Sequence, residues 1–277
     1  MIKYKMIKKK IFISISILCI ILAAFFKFFI TKNIFILNNN LFVDKETSYN
    51  NIINSRYFNT LNKINLQARG CNNLEDCKKI YKENLTEFTI EEKDTLRNLI
   101  THANDITNNL KKFNKIPWKF SKTSSKIENG FPFTIGKIIY ISDAFLKKSE
   151  KYKLETIIHE KIHVFQRKYK RKTQKLYEDL EFKKIKLIID PLRRHNPDLD
   201  GFDYKYNGVI IYNKFNNHEP TGLIDSNTVY LPYNKNIVNK MISNSYNNEH
   251  PNEIFAYIIS KKIIKNNLNN KFKKYLT

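Results

Sequence analysis

The sequence predicts an α+β protein, in which a mostly helical domain carries a small antiparallel sheet and follows an N-terminal transmembrane helix. Long segments repeat apolar residues with a helical period, and short β-rich segments occur between residues 131 and 232. An apolar run at residues 11–30 follows a lysine cluster. The chain has 277 residues and is 42% hydrophobic, which allows one core of moderate size or two small ones.

The first thirty residues predict a signal anchor. Residues 1–10 hold five lysines, and the following run is close to the ~20 residues that cross a bilayer as a helix. A cleaved signal peptide is the rival interpretation, but no convincing small-residue cleavage site follows the apolar core. Because basic flanks stay cytoplasmic, we expect a cytoplasmic segment 1–10 and an extracytoplasmic domain, lumenal or extracellular.

The rest of the chain is predicted to hold a linker and one domain. Residues 31–60 are rich in asparagine without a sustained period, which indicates a juxtamembrane linker, and residues 61–277 form the domain. Within the domain, Cys71 and Cys77 can close a small disulfide loop in an oxidising compartment. Two free thiols are the alternative, and a zinc site from this pair alone is weakly supported.

The high positive charge indicates a solvated lysine surface more than a nucleic-acid-binding one. The formal net charge is +23, but only seven of the 49 basic residues are arginine, the preferred reader of phosphates and bases. No zinc-finger, RNP or helix-turn-helix signature accompanies the charge. The sequence therefore argues against nucleic acid as a partner.

Secondary-structure signals follow in order along the domain. Residues 61–112 have a helical pattern, with Thr89 and Glu92 in capping-box spacing. Residues 131–142 predict a strand or hairpin arm, and a long helix follows over 143–169. The remaining predictions are a helix at 173–189, a loop, a strand at 208–215, a segment at 223–233 folded as a hairpin around residues 225–227, and a helix at 250–267.

His159 and His163 lie four residues apart in the sequence His-Glu-Lys-Ile-His. Positions i and i+4 project from one face of a helix, so both imidazoles can bind one Zn²⁺. Glu160, about 100° round the helix, can reach a zinc-bound water and act as general base. Two surface histidines are the alternative, but the helix also carries an apolar stripe that predicts burial, Leu154, Ile157, Ile158, Ile162 and Phe165.

This motif resembles that of the zincin metallopeptidases, which add a third metal ligand. The metzincin continuation is absent, because Gln166 and Tyr169 stand where it has glycine and histidine. Gluzincins instead use a glutamate on a later helix, often within Asn-Glu-x-x-Ala, and residues 252–256 read Asn-Glu-Ile-Phe-Ala. The resemblance implies a zincin-like fold with Glu253 as third ligand. The alternatives for that ligand are Glu249, His250 and the pair His218–Glu219.

Two features depart from the gluzincins. Ninety positions separate Glu253 from His163 (253 − 163), so an insertion holding the strands of 205–232 must lie between the two metal helices. Thermolysin-like members carry an aspartate four residues after the glutamate, which orients a zinc histidine, and that position is Tyr257 here. Either a carbonyl or another acid would then orient the imidazole, and the candidate acids are Asp179, Asp190 and Asp198.

Substrate-binding groups follow from the same resemblance. In zincin peptidases, an edge strand before the metal helix commonly binds the backbone of the substrate as an added strand. Residues 137–142 could have this role here, and the alternative is an ordinary strand of the sheet. A donor beside zinc would stabilise the transition state. The sequence offers four candidates for this donor and does not rank them: Tyr257, His250, His195 and Tyr230.

The sequence thus predicts a membrane-anchored zinc metallopeptidase. His159, His163 and Glu253 would bind one Zn²⁺, and Glu160 would activate water to hydrolyse a peptide or protein substrate. The alternative is a catalytically inactive membrane structural or interaction protein that keeps zinc for stability. A third possibility is a basic nucleic-acid-binding protein, which predicts salt-dependent binding without a metal requirement.

Overall fold

Residues 41–246 and 248–277 are described by the structure, a computed structural model. The basic segment 1–10, the signal anchor predicted at 11–30 and the first ten residues of the predicted linker lie outside this part. Within it, no helix combines the length and the apolar character that crossing a bilayer demands. Residues Val43–Thr277 form one compact unit.

Two short helices occupy most of residues 41–60, the described part of the segment that was predicted to be a linker. They are α1 (Lys45–Ile53) and α2 (Arg56–Asn59). Asp44 and Ser55 begin them, because each side chain accepts a backbone N–H of the first turn. Each helix also buries an apolar side chain in the core. The linker interpretation is therefore wrong for residues 44–60, which belong to the folded unit.

Four helices and a two-residue strand follow between residues 61 and 114. They are α3 (Lys63–Gln67), α4 (Leu74–Asn84), β1 (Leu85–Thr86), α5 (Ile90–Ile106) and α6 (Lys111–Asn114). The capping box predicted at the start of α5 is confirmed, since Thr89 and Glu92 exchange both hydrogen bonds. A disulfide joins Cys71 to Cys77, with their Cα atoms 5.0 Å apart, and fixes the start of α4.

The first sheet has the strand order β1-β2-β4-β3. Its other strands are β2 (Phe120–Thr123), β3 (Phe133–Ile135) and β4 (Ile138–Ser142). The β structure predicted at residues 131–142, a strand or hairpin arm, is confirmed, and it is the hairpin of β3 and β4. Gly136 takes a positive φ of 61° in its two-residue turn. Strand β2 pairs parallel to β4, so this sheet is mixed. The prediction of an antiparallel sheet beside the helix with the histidine motif is therefore wrong.

The segment 137–142 is not an edge strand. Strand β4, which covers most of it, pairs with β2 on one side and β3 on the other, and all five of its residues are buried. The predicted role of this segment as a receiving edge is therefore wrong, and the edge strands of the sheet are β1 and β3.

The predicted helix over 143–169 is divided into two. Helix α7 (Asp143–Leu146) ends before Ser149, whose side chain accepts the N–H of Tyr152 and begins α8 (Glu150–Lys168). Helix α9 (Lys170–Glu178) follows, so the helix predicted at 173–189 ends about ten residues early. The reason is Glu181, which takes a positive φ of 70° and turns the chain into a strand.

A second sheet is wholly antiparallel. Its strands follow α8, the helix with the histidine motif, in the sequence and precede the C-terminal helices. It has the order β5-β6-β7-β8. The strand prediction at 208–215 is confirmed, whereas the hairpin predicted at 223–233 is a single strand. The four strands are β5 (Phe182–Ile185), β6 (Asp203–Tyr206), β7 (Val209–Phe215) and β8 (Ser226–Leu231).

Three helices complete the chain: α10 (Lys235–Ser243), α11 (Pro251–Ile264) and α12 (Asn270–Leu276). Pro251 starts α11 at a position that needs no N–H, and the side chain of His250 accepts the N–H of Asn252 as a cap. Helix α11 packs along α8. The described residues therefore form a mostly helical fold with two small sheets, which confirms the α+β class.

Candidate metal centre

Helix α8 is buried on all sides over its central part. Every residue from Ile157 to Gln166 is buried, because α5, α11 and the first sheet pack around the helix. Polar side chains in such a place must find partners or a cation, since an unpaired buried polar group is costly. Its polar residues are therefore informative about function.

The two histidines of the motif converge with a glutamate from α11. The Nε2 atoms of His159 and His163 lie 2.9 Å apart. Glu253 places one carboxylate oxygen 3.3 Å from His159 Nε2 and the other 3.5 Å from His163 Nε2. All three side chains are buried, and their potential ligand atoms lie within 4.8 Å of one another. This group could hold a metal ion.

Glu253 is positioned by its neighbour Asn252, whose amide and backbone link α11 to three other parts of the fold. The Asn252 side chain donates to the carbonyl of Asp198 and accepts from the hydroxyl of Tyr177, and its own carbonyl accepts from Gln166. These bonds fix the first turn of α11 against α8, which sets the direction of the Glu253 side chain.

The tautomer of His163 follows from its contact with Gln166. The Gln166 amide nitrogen donates to the carbonyl of Asn252, so its Oε1 faces His163 Nδ1, at 2.9 Å. An amide oxygen can only accept, and His163 therefore carries a proton on Nδ1. In the neutral ring the Nε2 lone pair then points towards His159 and Glu253, an unfavourable arrangement unless a proton or a metal ion lies between them.

The charges of this group depend on one another. Burial opposes protonation of His163, but the carboxylates of Glu253 and Asp198 outweigh it and raise its pKa to about 9. Burial lowers the pKa of His159. Burial also disfavours the charged form of Glu253, yet the nearby His163 holds its pKa well below the usual range. A metal ion would take the place of the proton that the metal-free protein holds here.

Glu160 stands beside the three converging residues but outside their set. It is buried, and its Oε2 has no hydrogen-bond partner within residues 41–246 and 248–277. With His163 and Asp198 it forms a second buried group whose potential ligand atoms lie within 4.8 Å of one another. Burial and the Asp198 carboxylate raise the pKa of Glu160 well above its ordinary value. A carboxylate in this environment readily takes up a proton, as a general base must.

The Nδ1 atom of His163 faces the side-chain carbonyl oxygen of Gln166 and none of the three candidate acids. Asp179 pairs with Lys175 at the surface, and Asp190 accepts from Tyr212. Asp198 instead accepts the backbone N–H of Thr134 and pairs with Arg167 at 3.1 Å. Arg167 also donates to the carbonyl of Thr134, so these two side chains occupy the free edge of β3 at that residue.

Of the alternative third ligands, Glu249 and His250 are engaged with other groups, and His218 and Glu219 lie apart from the converging side chains. Glu249 pairs with Arg194 at 2.8 Å and accepts from the amide of Asn196, which also donates to Glu253 at 3.2 Å. Glu249 thus positions the Glu253 carboxylate through Asn196. The ring of His250 is occupied by the cap of α11, and its Nε2 lies 3.2 Å from the carbonyl of Phe202. His218 and Glu219 line a separate cavity.

A cavity of about 340 Å³ opens onto the converging side chains. Of the four candidate donors, Tyr257 and His195 line it, and His250 and Tyr230 do not. The rings of Tyr257 and His159 have centroids 4.3 Å apart. Burial and Glu253 raise the pKa of Tyr257, which keeps its phenol protonated. Burial and the neighbouring arginines lower the pKa of His195 to about 4, so its ring is neutral at physiological pH.

Comparison with protein-family models, with curated proteins and with solved structures finds no match for this chain. The chemistry of the site therefore depends on the residues described above. Two imidazoles and a carboxylate converge in a buried group, a further carboxylate lies beside them, and a cavity gives access. Such an arrangement can bind a metal ion and expose it to a ligand.

Proposed function

We propose that the protein is a membrane-anchored zinc metallopeptidase, identified as gluzincin-like by His159, Glu160, His163 and Glu253. The single observation that carries the proposal is the convergence of His159, His163 and Glu253, with Glu160 held beside them at the cavity. Membrane attachment is proposed from the apolar run at residues 11–30 alone.

Zinc is the metal that this donor set suits best. Two imidazole nitrogens and one carboxylate oxygen are the three protein ligands of many catalytic zinc sites, which keep a fourth position open. The proton on His163 Nδ1, held by Gln166, leaves Nε2 as the ligand atom. A bound Zn²⁺ would polarise the substrate carbonyl and lower the pKa of the attacking water.

The protein's own groups would move the protons of the reaction. Glu160 takes a proton from the attacking water and passes it to the departing amine. Its environment favours this role, because burial and Asp198 make the carboxylate a stronger base. The protonated phenol of Tyr257, beside His159 in the cavity, donates a hydrogen bond to the oxygen on which negative charge develops.

The test compares the full chain with its Glu160→Gln variant, both purified in detergent and loaded with zinc. Hydrolysis of a quenched-fluorescent peptide library is measured beside the zinc content. We expect both proteins to hold zinc and Glu160→Gln to lose at least about a hundredfold in kcat/KM. Glu150→Gln, at an exposed position of the same helix, is the matched control and keeps parental activity.

Two outcomes would contradict the proposal. Equal hydrolysis by the parent and Glu160→Gln would remove Glu160 from the reaction. Zinc in both proteins with hydrolysis in neither would favour the alternative of a zinc-stabilised membrane structural or interaction protein.

A further inference from the structure

The cavity at the metal centre is acidic, although the chain as a whole is strongly basic. Lysine and arginine total 49 residues against 26 aspartates and glutamates. Among the lysines, arginines, aspartates and glutamates that line the cavity, one is basic, Arg194, and the other six are Glu128, Glu155, Glu160, Asp198, Glu249 and Glu253. A concave site with low-dielectric walls focuses such a field, so the cavity attracts positive charge that the remaining surface repels.

All but one of these six acids already have a counter-charge or a role. Three form ion pairs with arginine: Glu128–Arg69, Asp198–Arg167 and Glu249–Arg194. Glu253 and Glu160 would together balance the charge of a divalent metal. Glu155 is the remaining one. Its side chain is half-buried and makes neither a hydrogen bond nor an ion pair with another residue of the described ranges 41–246 and 248–277.

Exposed aromatic rings line the same cavity. Phe131 and Tyr152 line the cavity and are 53% and 47% exposed, whereas the ring of Tyr257 already contacts Lys261, with Nζ 5.7 Å from its centroid. Tyr152 precedes Glu155 by three residues and His159 follows it by four, so the three share one face of α8. A carboxylate that shares a cavity with exposed aromatic rings can bind organic cations through an ion pair and through cation–π attraction.

We propose that Glu155 selects a lysine or arginine side chain of the substrate close to the scissile bond. This inference rests on the proposed peptidase function. Glu155 lies one helical turn, a rise of about 6 Å, before the metal ligand His159. A cation held there therefore belongs to a residue near the bond that is cleaved. The class of substrate is a basic peptide segment.

The test measures binding apart from turnover. The full-length Glu160→Gln protein, in detergent and zinc-loaded, is titrated into sets of fluorescent peptides that differ only by lysine, norleucine or glutamate at one scanned position. We expect the lysine peptide to bind roughly five- to tenfold more tightly at one position. When Glu155→Gln is combined with Glu160→Gln, the ratio of the two affinities, lysine to norleucine, should be close to one. When Glu155→Lys is combined with Glu160→Gln, the protein should prefer a glutamate peptide. Adding the control Glu150→Gln, outside the cavity, keeps the ratio.

The outcomes separate this inference from the proposed function. A lysine preference that persists in the Glu155→Gln protein, or no preference at any position, overturns the selection by Glu155. Circular dichroism of each variant excludes misfolding as the cause of a lost preference. If the lysine preference depends on Glu155 but the parent protein cleaves none of the peptides, the selection stands and the peptidase proposal fails.

Discussion

The ring of His163 is held by the amide of Gln166, with Nδ1 and Oε1 2.9 Å apart. Gln166 is fixed in turn by its bond to the carbonyl of Asn252, the residue before the proposed ligand Glu253. One side chain therefore orients the second histidine and connects its helix to the helix of the third ligand. The position of Gln166, three residues after His163 on α8, places both on one face of the helix.

Replacing Gln166 with leucine should weaken zinc binding by about ten- to a hundredfold, because the His163 ring loses its orienting acceptor. Gln166→Glu should keep or improve the affinity, since a carboxylate accepts the Nδ1 proton more strongly. Gln67→Leu, at an exposed position far along the chain, is the control. Competition with a chromophoric chelator measures the affinities. Parental affinity in Gln166→Leu would contradict the assigned role.

Replacing Glu253 with alanine should cost more zinc affinity than Gln166→Leu, because it removes a ligand rather than an orienting group. The same chelator competition measures it. His218→Ala tests one of the alternative ligands and should leave the affinity unchanged, because His218 lines a different cavity. A loss of zinc in His218→Ala together with retention in Glu253→Ala would reverse the assignment.

Lys161, inside the histidine motif, predicts a pH-dependent stability. Its side chain is 1% exposed and contacts the faces of Trp118 and Phe113, with Nζ 4.1 Å and 4.7 Å from the ring centroids. Burial lowers its pKa from 10.5 to about 7. Between these values the unfolded chain binds more protons than the folded one, so the contribution of Lys161 to the free energy of unfolding rises with pH.

The Lys161→Met variant isolates this effect. The difference in free energy of unfolding, parent minus variant, should increase by about 1.4 kcal/mol per pH unit between roughly pH 7 and pH 10, and be constant below that window. Urea unfolding at several pH values measures it, with Lys151→Met on the exposed side of the same helix as the control. A difference that stays flat through the window would show that the aromatic faces keep Lys161 charged in the folded protein.

The disulfide of Cys71 and Cys77 should stabilise the fold by about 2 kcal/mol, the amount expected from closing a loop with a sequence separation of 6. The double variant Cys71→Ala/Cys77→Ala should lose this amount of unfolding free energy in urea. A reducing agent should destabilise the parent and leave the double variant unaffected. Equal responses of both proteins to reduction would contradict a stabilising disulfide.

Local patterns were sufficient to predict the two helices that bear the site. Helix α8 carries its motif in consecutive residues, and the start of α11 is marked by Pro251. Both signals are local in sequence, and the packing of the helices then agrees with them. Gln166 could also have been predicted as the partner of His163 from their i, i+3 spacing on one helix face.

The rest of the site depends on contacts that are distant in sequence. Asn196 and Asp198 lie in a loop without regular structure, and only the folded chain brings them beside Glu253 and Glu160. The sheet was mispredicted for a related reason. Alternation does not distinguish edge from central strands, although the nearly unbroken apolar run at residues 138–142 is typical of a strand covered on both faces.

The zinc content of the full chain tests the central claim most directly. The protein is purified in detergent under metal-replete conditions beside its His163→Ala variant, and bound metal is measured by mass spectrometry. We predict about one zinc per chain in the parent and almost none in the variant. A parent protein without bound zinc would contradict the metal centre, and with it the proposed peptidase.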